Sequence, residues 1–124
     1  MQIPSQMSTW ASRLVLCLAL LQATFMVMEI CFWNLMATKV AGFKGDVVPI
    51  TRALGANMGL YNGFLAAGLA WSLFAPGTLG VQLALFFAGC VAVAGVVGGF
   101  TVSWGILMAQ GWSAALVLIF IFFL

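Results

Sequence analysis

Long apolar runs broken by short polar interruptions set the pattern of this chain. Four runs stand out, over about Trp10–Leu35, Thr51–Phe74, Leu79–Ser103 and Gly105–Leu124. Each reaches the roughly 20 residues that a helix needs to cross hydrocarbon. Helix is required there, because lipid offers no partner to an unpaired backbone N–H or C=O. The interruptions fit: Lys39–Pro49 reads as a polar loop, Ala75-Pro76-Gly77 as a tight turn and Ser103-Trp104-Gly105 as a very short one. The expected fold class is therefore all-α, a polytopic membrane protein forming one four-helix transmembrane domain over residues 1–124. In the first run Arg13 precedes Leu14–Leu21 and a small residue follows at Ala23, as in a cleaved leader. The apolar stretch continues to Trp33, however, past the about 7–15 residues such leaders use, and is read as a retained span.

Composition strengthens the membrane reading. The chain is 65% apolar and 5% charged, against about 25% charged residues in soluble domains. So few polar groups could not cover a soluble fold, so the lipid bilayer is the expected surroundings. A net charge of +2, widely scattered, gives no footing for nucleic acid. Histidine is absent, which removes the usual general base, the usual haem ligand and most zinc sites. No carboxylates pair and no ligand cluster forms, so neither catalysis, a metal nor a cofactor is expected. Cys17, Cys31 and Cys90 form no CxxC pair and fall inside apolar runs, where small buried packing residues are expected. Charge placement bears on orientation. Lys39, Lys44 and Arg52 lie in or beside the first loop, whereas Arg13 and the amino terminus lie opposite. The excess of basic residues places the first loop in the cytoplasm and both termini outside. Trp10 and Trp71 then mark the outer interface, and Trp33 and Trp104 the inner one.

Small residues recur at helical spacing. Gly55, Gly59, Gly63 and Ala67 make a stripe in the second run, and Ala84, Ala88 and Ala92, then Gly95 and Gly99, repeat the device in the third. Such stripes let backbones approach closely where lipid removes the ordinary hydrophobic drive. These two helices are expected to pack tightly on each other, or on copies in a neighbouring subunit. After Ala115 the last run is large and apolar all round, as suits a helix facing lipid or another subunit.

The polar residues inside the runs carry the candidate chemistry. Glu29 stands out, since an ionised carboxylate at the centre of a span costs roughly 2.5–3.5 kcal/mol on insertion scales. Gln22, Met26, Glu29 and Trp33 share one helix face by their spacing. Counting at about 1.5 Å per residue puts Glu29, Asn57, Gln110 and Thr101 in one layer near the inner interface. Gln22 and Asn62 fall nearer mid-membrane, while Asn57 and Tyr61 stack on a face turned away from the glycines. These groups can serve as interhelical glue, at about 0.6 kcal/mol per hydrogen bond, or as a site that binds or passes a solute.

Two segments carry a family resemblance. Phe25-Met26-Val27-Met28-Glu29 followed by Trp33, and the block Ala56-Asn57-Met58-Gly59-Leu60-Tyr61-Asn62-Gly63-Phe64-Leu65-Ala66-Ala67-Gly68, resemble the bacterial domain-of-unknown-function family 1304. Gly89-Cys90-Val91, Ala94-Gly95 and Thr101-Val102-Ser103 add to it. The resemblance implies a small four-span bacterial membrane protein and carries no established activity. The family tends to have glutamine where Met58 stands, and histidine followed by an aromatic where Gln22 and Thr24 stand. A proton-handling role borrowed through such a histidine therefore has less support here.

The function expected is small-solute binding or passage through a polar layer around Glu29, in a bacterial inner-membrane protein that forms homo-oligomers. The alternative is a non-catalytic accessory subunit docked on a larger membrane-protein partner.

Overall fold

The structure, a computed structural model, describes residues 2–124. Its elements are α1 (Thr9–Cys31), α2 (Trp33–Lys39), α3 (Val47–Ile50), α4 (Arg52–Phe74), α5 (Gly77–Thr101) and α6 (Trp104–Phe123), the last with a π-helical turn over Leu107–Gly111. No strand occurs among the described residues. Large side chains such as Leu20, Phe64, Phe86, Val93, Phe100 and Ile119 lie exposed on the outside, so the surface is apolar as well as the core.

Three of these helices, α1, α5 and α6, are long and apolar enough to cross a membrane, where the sequence pattern predicts four. The exception is α4. At 23 residues it equals α1 in length, but Asn57, Asn62 and its glycines dilute its apolar character. The first run also differs from expectation. Instead of continuing to Leu35, α1 ends at Phe32 (φ −129°, ψ 43°), and α2 restarts at Trp33. Neither glycine nor proline stands at this break, so periodicity could not reveal it.

The beginning of α1 is set by Ser8, whose Oγ accepts from Ala11 N–H at 3.1 Å, the usual way of satisfying a first-turn donor. Between α2 and α4, Gly42 (φ 71°) and Gly45 (φ 59°) adopt left-handed backbone, a conformation open to glycine without steric cost. They let the loop fold back under the bundle. There the Trp33 indole Nε1–H donates to Val48 O at 3.0 Å and to Thr51 Oγ1 at 3.2 Å. Trp33 is 4% exposed; it is a buried anchor for the loop rather than an interfacial residue. Trp10, Trp71 and Trp104 are exposed, as expected of anchors at a surface.

The glycine stripe of α4 meets α1, not α5. A Cβ at Gly55 would fall on the Trp33 ring. At Gly59 it would lie 2.8 Å from Ile30 Cγ1 and 3.1 Å from Met26 O, and at Gly63 2.6 Å from Met26 Sδ. Ala67 is exposed and takes no part. One residue later, Gly68 is buried against the ring of Phe87, joining α4 to α5. The second pair, Gly95 and Gly99, meets α6: a Cβ at Gly95 would lie 2.6 Å from Gly111 N, and one at Gly99 2.5 Å from Leu107 Cβ. Helices α4 and α5 do pack on each other, as expected, but these glycine runs serve α1 and α6 instead. The last helix is one-sided as well, burying Ala114, Val117 and Ile121 while Leu116, Ile119 and Phe122 stay exposed. The cysteines correct the sequence reading too: Cys17 and Cys31 are exposed, Cys90 is half-buried, and all three are free.

Packing divides the molecule into two cores. The larger lies at the end bearing the chain termini, around Val15, Leu18, Leu69, Val81, Val91 and Val117. The smaller joins Trp33, Met36 and Ala37 to Phe43 and Val48 at the loop end. At the termini end, α1 packs directly on the Trp112–Phe123 part of α6. At the loop end, the π turn of α6 packs on α5, and its backbone comes close to neither α1 nor α4 among the described residues. The bundle therefore closes at one end and opens at the other.

Candidate functional site

Between the two cores the open wedge forms a cavity with two lobes, of about 240 Å³ and about 140 Å³. Glu29, Met36, Met58, Val102 and Ile106 line both, so Glu29 sits at their junction. The larger lobe adds Phe25, Tyr61, Asn62, Leu65 and Gln110, and the smaller adds Trp33, Phe43, Thr51 and Leu54.

Glu29 is 5% exposed. Its position reflects the close approach of α1 and α4: Gly59 has no side chain, so the Glu29 stem passes against bare helix, 3.1 Å from where a Cβ would stand. The carboxyl then reaches Asn62, one turn further along α4, whose Nδ2–H donates to Glu29 Oε2 at 2.7 Å. Glu29 Oε1 has no hydrogen-bond partner among the described residues, and Glu29 lines both lobes. No ion pair reaches the carboxyl there either, since Arg52 donates through Nη2 to Asn34 Oδ1 at 2.7 Å, outside the lining.

Gln110 comes from the opposite wall. It lies in the π turn of α6, is 6% exposed and lines the larger lobe. A π turn adds a residue to a helical turn and so rotates the rest of the helix to a new direction. Here it coincides with a close crossing of α5 and α6 at Gly95 and Gly111. Ser113 Oγ donates to Ala109 O just beyond it.

The seven residues singled out by sequence are thus only partly gathered. Glu29, Asn62 and Gln110 share the cavity as buried or half-buried groups, and Tyr61 joins at its edge, 57% exposed. Asn57 is exposed and lines neither lobe, although its neighbour Met58 lines both. Thr101 is exposed and spends its hydroxyl on Val97 O at 2.7 Å within its own helix. Gln22 is fully buried, two turns from Glu29 on the same face, but lines neither lobe, and neither Oε1 nor Nε2 has a partner among the described residues. Depth counting pairs Glu29 with Asn57, whereas the structure pairs it with Asn62, because the side chain extends along α4 from its own level.

The apolar members were not apparent from sequence. Met36, Met58, Val102 and Ile106 frame the carboxyl, and nothing in a run of apolar residues marks four of them as a cavity wall. The rim is distinct from the floor. Leu54, Met58, Tyr61 and Val102 are exposed, whereas Glu29, Trp33, Met36 and Gln110 are buried. The exposed rim is carried by α4 and by Val102 at the end of α5, and the cavity opens sideways there.

No match is found among curated proteins or among solved structures. The family model for the protein of unknown function DUF1304 matches residues 16–122, a stretch that holds Glu29, Asn62, Gln110 and every other cavity residue. This chain belongs to that family, DUF1304.

Proposed function

We propose that this protein is a four-span integral membrane protein that binds a small solute, or lets one pass, at the cavity around Glu29. The observation that carries the reading is the carboxyl itself. It is buried, has no basic partner among the described residues, accepts from Asn62 on one oxygen and from nothing on the other, and lines a cavity. Interhelical glue alone would be served by a satisfied pair in closed packing. A carboxyl left facing open volume in a bundle of apolar helices instead marks a place where a polar group, water or a solute docks.

In this reading α4 is the fourth crossing. Its length matches α1 and it packs along α1 through Gly55, Gly59 and Gly63, and Asn62 is half-buried against Glu29. Lys39, Lys44 and Arg52 gather at the loop end, which argues for that end in the cytoplasm of a bacterial inner membrane, with both termini outside. The exposed apolar faces of α5 and α6 would join copies into a homo-oligomer, enclosing more of a path than one bundle can. The role is binding or transport rather than catalysis.

The test is genetic. Expression of the native chain should change a host's uptake of, efflux of or resistance to at least one membrane-permeant solute, and Glu29→Ala should abolish that change. A phenotype fully retained by Glu29→Ala would refute the reading. Recovery of a stoichiometric partner in mild detergent would favour an accessory subunit instead.

A further inference from the structure

We infer that the cavity selects a lipophilic organic monocation, such as a substituted ammonium carrying an aromatic or alkyl group; the inference rests on the solute-binding reading above. Three observations converge. The first is charge. Glu29 is the only formally charged residue in either lobe, and it is buried. One of its oxygens takes no hydrogen bond among the described residues, and no lysine or arginine lines either lobe. A carboxylate in such surroundings gains most from a large, weakly hydrated cation, because a small, strongly hydrated ion loses more hydration on entry.

The second observation is the lining. Trp33 and Phe43, edge to face with centroids 6.5 Å apart, sit in the smaller lobe, and Phe25 and Tyr61 in the larger. Aromatic faces attract ammonium groups through the ring quadrupole, and more strongly where water is excluded. Met36 and Met58, flexible and polarizable, stand between the lobes and can adapt to irregular shapes.

The third is the mouth. Leu54, Met58, Tyr61 and Val102 are exposed side chains of the rim, so the opening faces whatever surrounds the bundle laterally. In a bilayer that is hydrocarbon or the region just beneath the headgroups. A solute entering there must partition into lipid and still carry a charge for Glu29.

Other occupants fit less well. A divalent metal needs about six oxygen ligands, and one carboxylate with two carboxamides does not supply them. An anion would meet a carboxylate and no cation. A neutral apolar molecule would fill the lobes and leave the carboxyl unmatched. Charge balances simply: an ionised Glu29 pairs with the cation directly, and a protonated one releases its proton to water as the cation enters.

The test uses the full chain in nanodiscs, with empty nanodiscs as the blank, and two probes of the same shape. Benzyltrimethylammonium carries the charge, and neopentylbenzene replaces its nitrogen by carbon. Equilibrium dialysis should show saturable binding of the cation, at least about tenfold tighter than that of the neutral isostere. Glu29→Gln keeps an oxygen to accept from Asn62, and should weaken the cation at least about tenfold while leaving neopentylbenzene unchanged. Glu29→Asp should keep the preference for the cation, which guards against a loss caused by misfolding. Equal binding of the two probes, or a Glu29→Gln protein that still prefers the cation, would overturn the inference while leaving a solute cavity in place. Failure of both probes to bind saturably would overturn the inference and weigh against the solute-binding reading itself.

Discussion

Two glycines of α5 offer a comparison in which only the packing differs. Gly89 and Gly95 both lie inside this helix, so replacing either by alanine gains the same intrinsic helix preference, up to about 1 kcal/mol. A Cβ at Gly89 meets nothing within 4 Å, whereas at Gly95 it would lie 2.6 Å from Gly111 N and 3.0 Å from Gly111 Cα. These are backbone atoms of α6 and cannot rotate away. Ordinary contact begins at 3.4 Å, so α5 and α6 must part by roughly 0.8 Å, a gap that forfeits a quarter to a half of the dispersion well for the atoms around it. Overpacking of this kind costs about 1–3 kcal/mol. Gly89→Ala should therefore be neutral or slightly stabilising, and Gly95→Ala should be less stable than Gly89→Ala by about 1–3 kcal/mol. Unfolding in mixed micelles of rising SDS fraction, followed by helical circular dichroism, measures the difference. A difference under about 0.5 kcal/mol would refute the close crossing of α5 and α6, and with it the placement of Gln110 opposite Glu29.

Other substitutions probe the cavity walls. Asn62→Leu removes the one hydrogen bond to Glu29 and should cost about 1–3 kcal/mol in the same assay, because a buried polar group is left unmatched. Combined with Glu29→Leu the loss should shrink, and simple additivity of the two would contradict a direct bond. Gln22 is fully buried with both amide atoms unpartnered, so Gln22→Leu should stabilise by about 1–2 kcal/mol; destabilisation would reveal a bound water or polar partner. Trp33→Phe deletes the indole donor to Val48 and Thr51. It should speed proteolysis of the 40–51 loop several-fold, whereas an unchanged cleavage rate would mean the indole does not hold the loop.

How much could be read from the sequence depends on whether each signal is local. The helices were legible because span length and apolar character are local properties. The face carrying Gln22, Met26, Glu29 and Trp33 was legible too, since helical spacing fixes it, and the structure buries or half-buries all four. Partner choice was not. Gly55, Gly59 and Gly63 announce a close approach but not to which helix, and that depends on the order in which three neighbours pack. Asn57 and Asn62 carry the same chemistry five residues apart on one helix, and only the α1–α4 register decides that Asn62 meets Glu29. The break at Phe32 has no glycine or proline to mark it, and Gly111 alone does not announce the π turn at Gln110. The cavity exists because α1 touches α6 at one end and not at the other, a property of helix splay that no single run encodes.

The central claim is that Glu29 faces a cavity that solutes can reach. Glu29 and Asp46 are the only acidic side chains in the chain, so the difference between the native protein and Glu29→Gln isolates one carboxyl C=O infrared band. Recorded in water and in deuterium oxide from about pH 4 to about pH 9, a range covering ordinary and strongly perturbed carboxyls, the band should shift on deuteration and lose intensity as pH rises. A band that stays protonated at every pH, and fails to shift in deuterium oxide, would make Glu29 sealed interhelical glue and contradict the account.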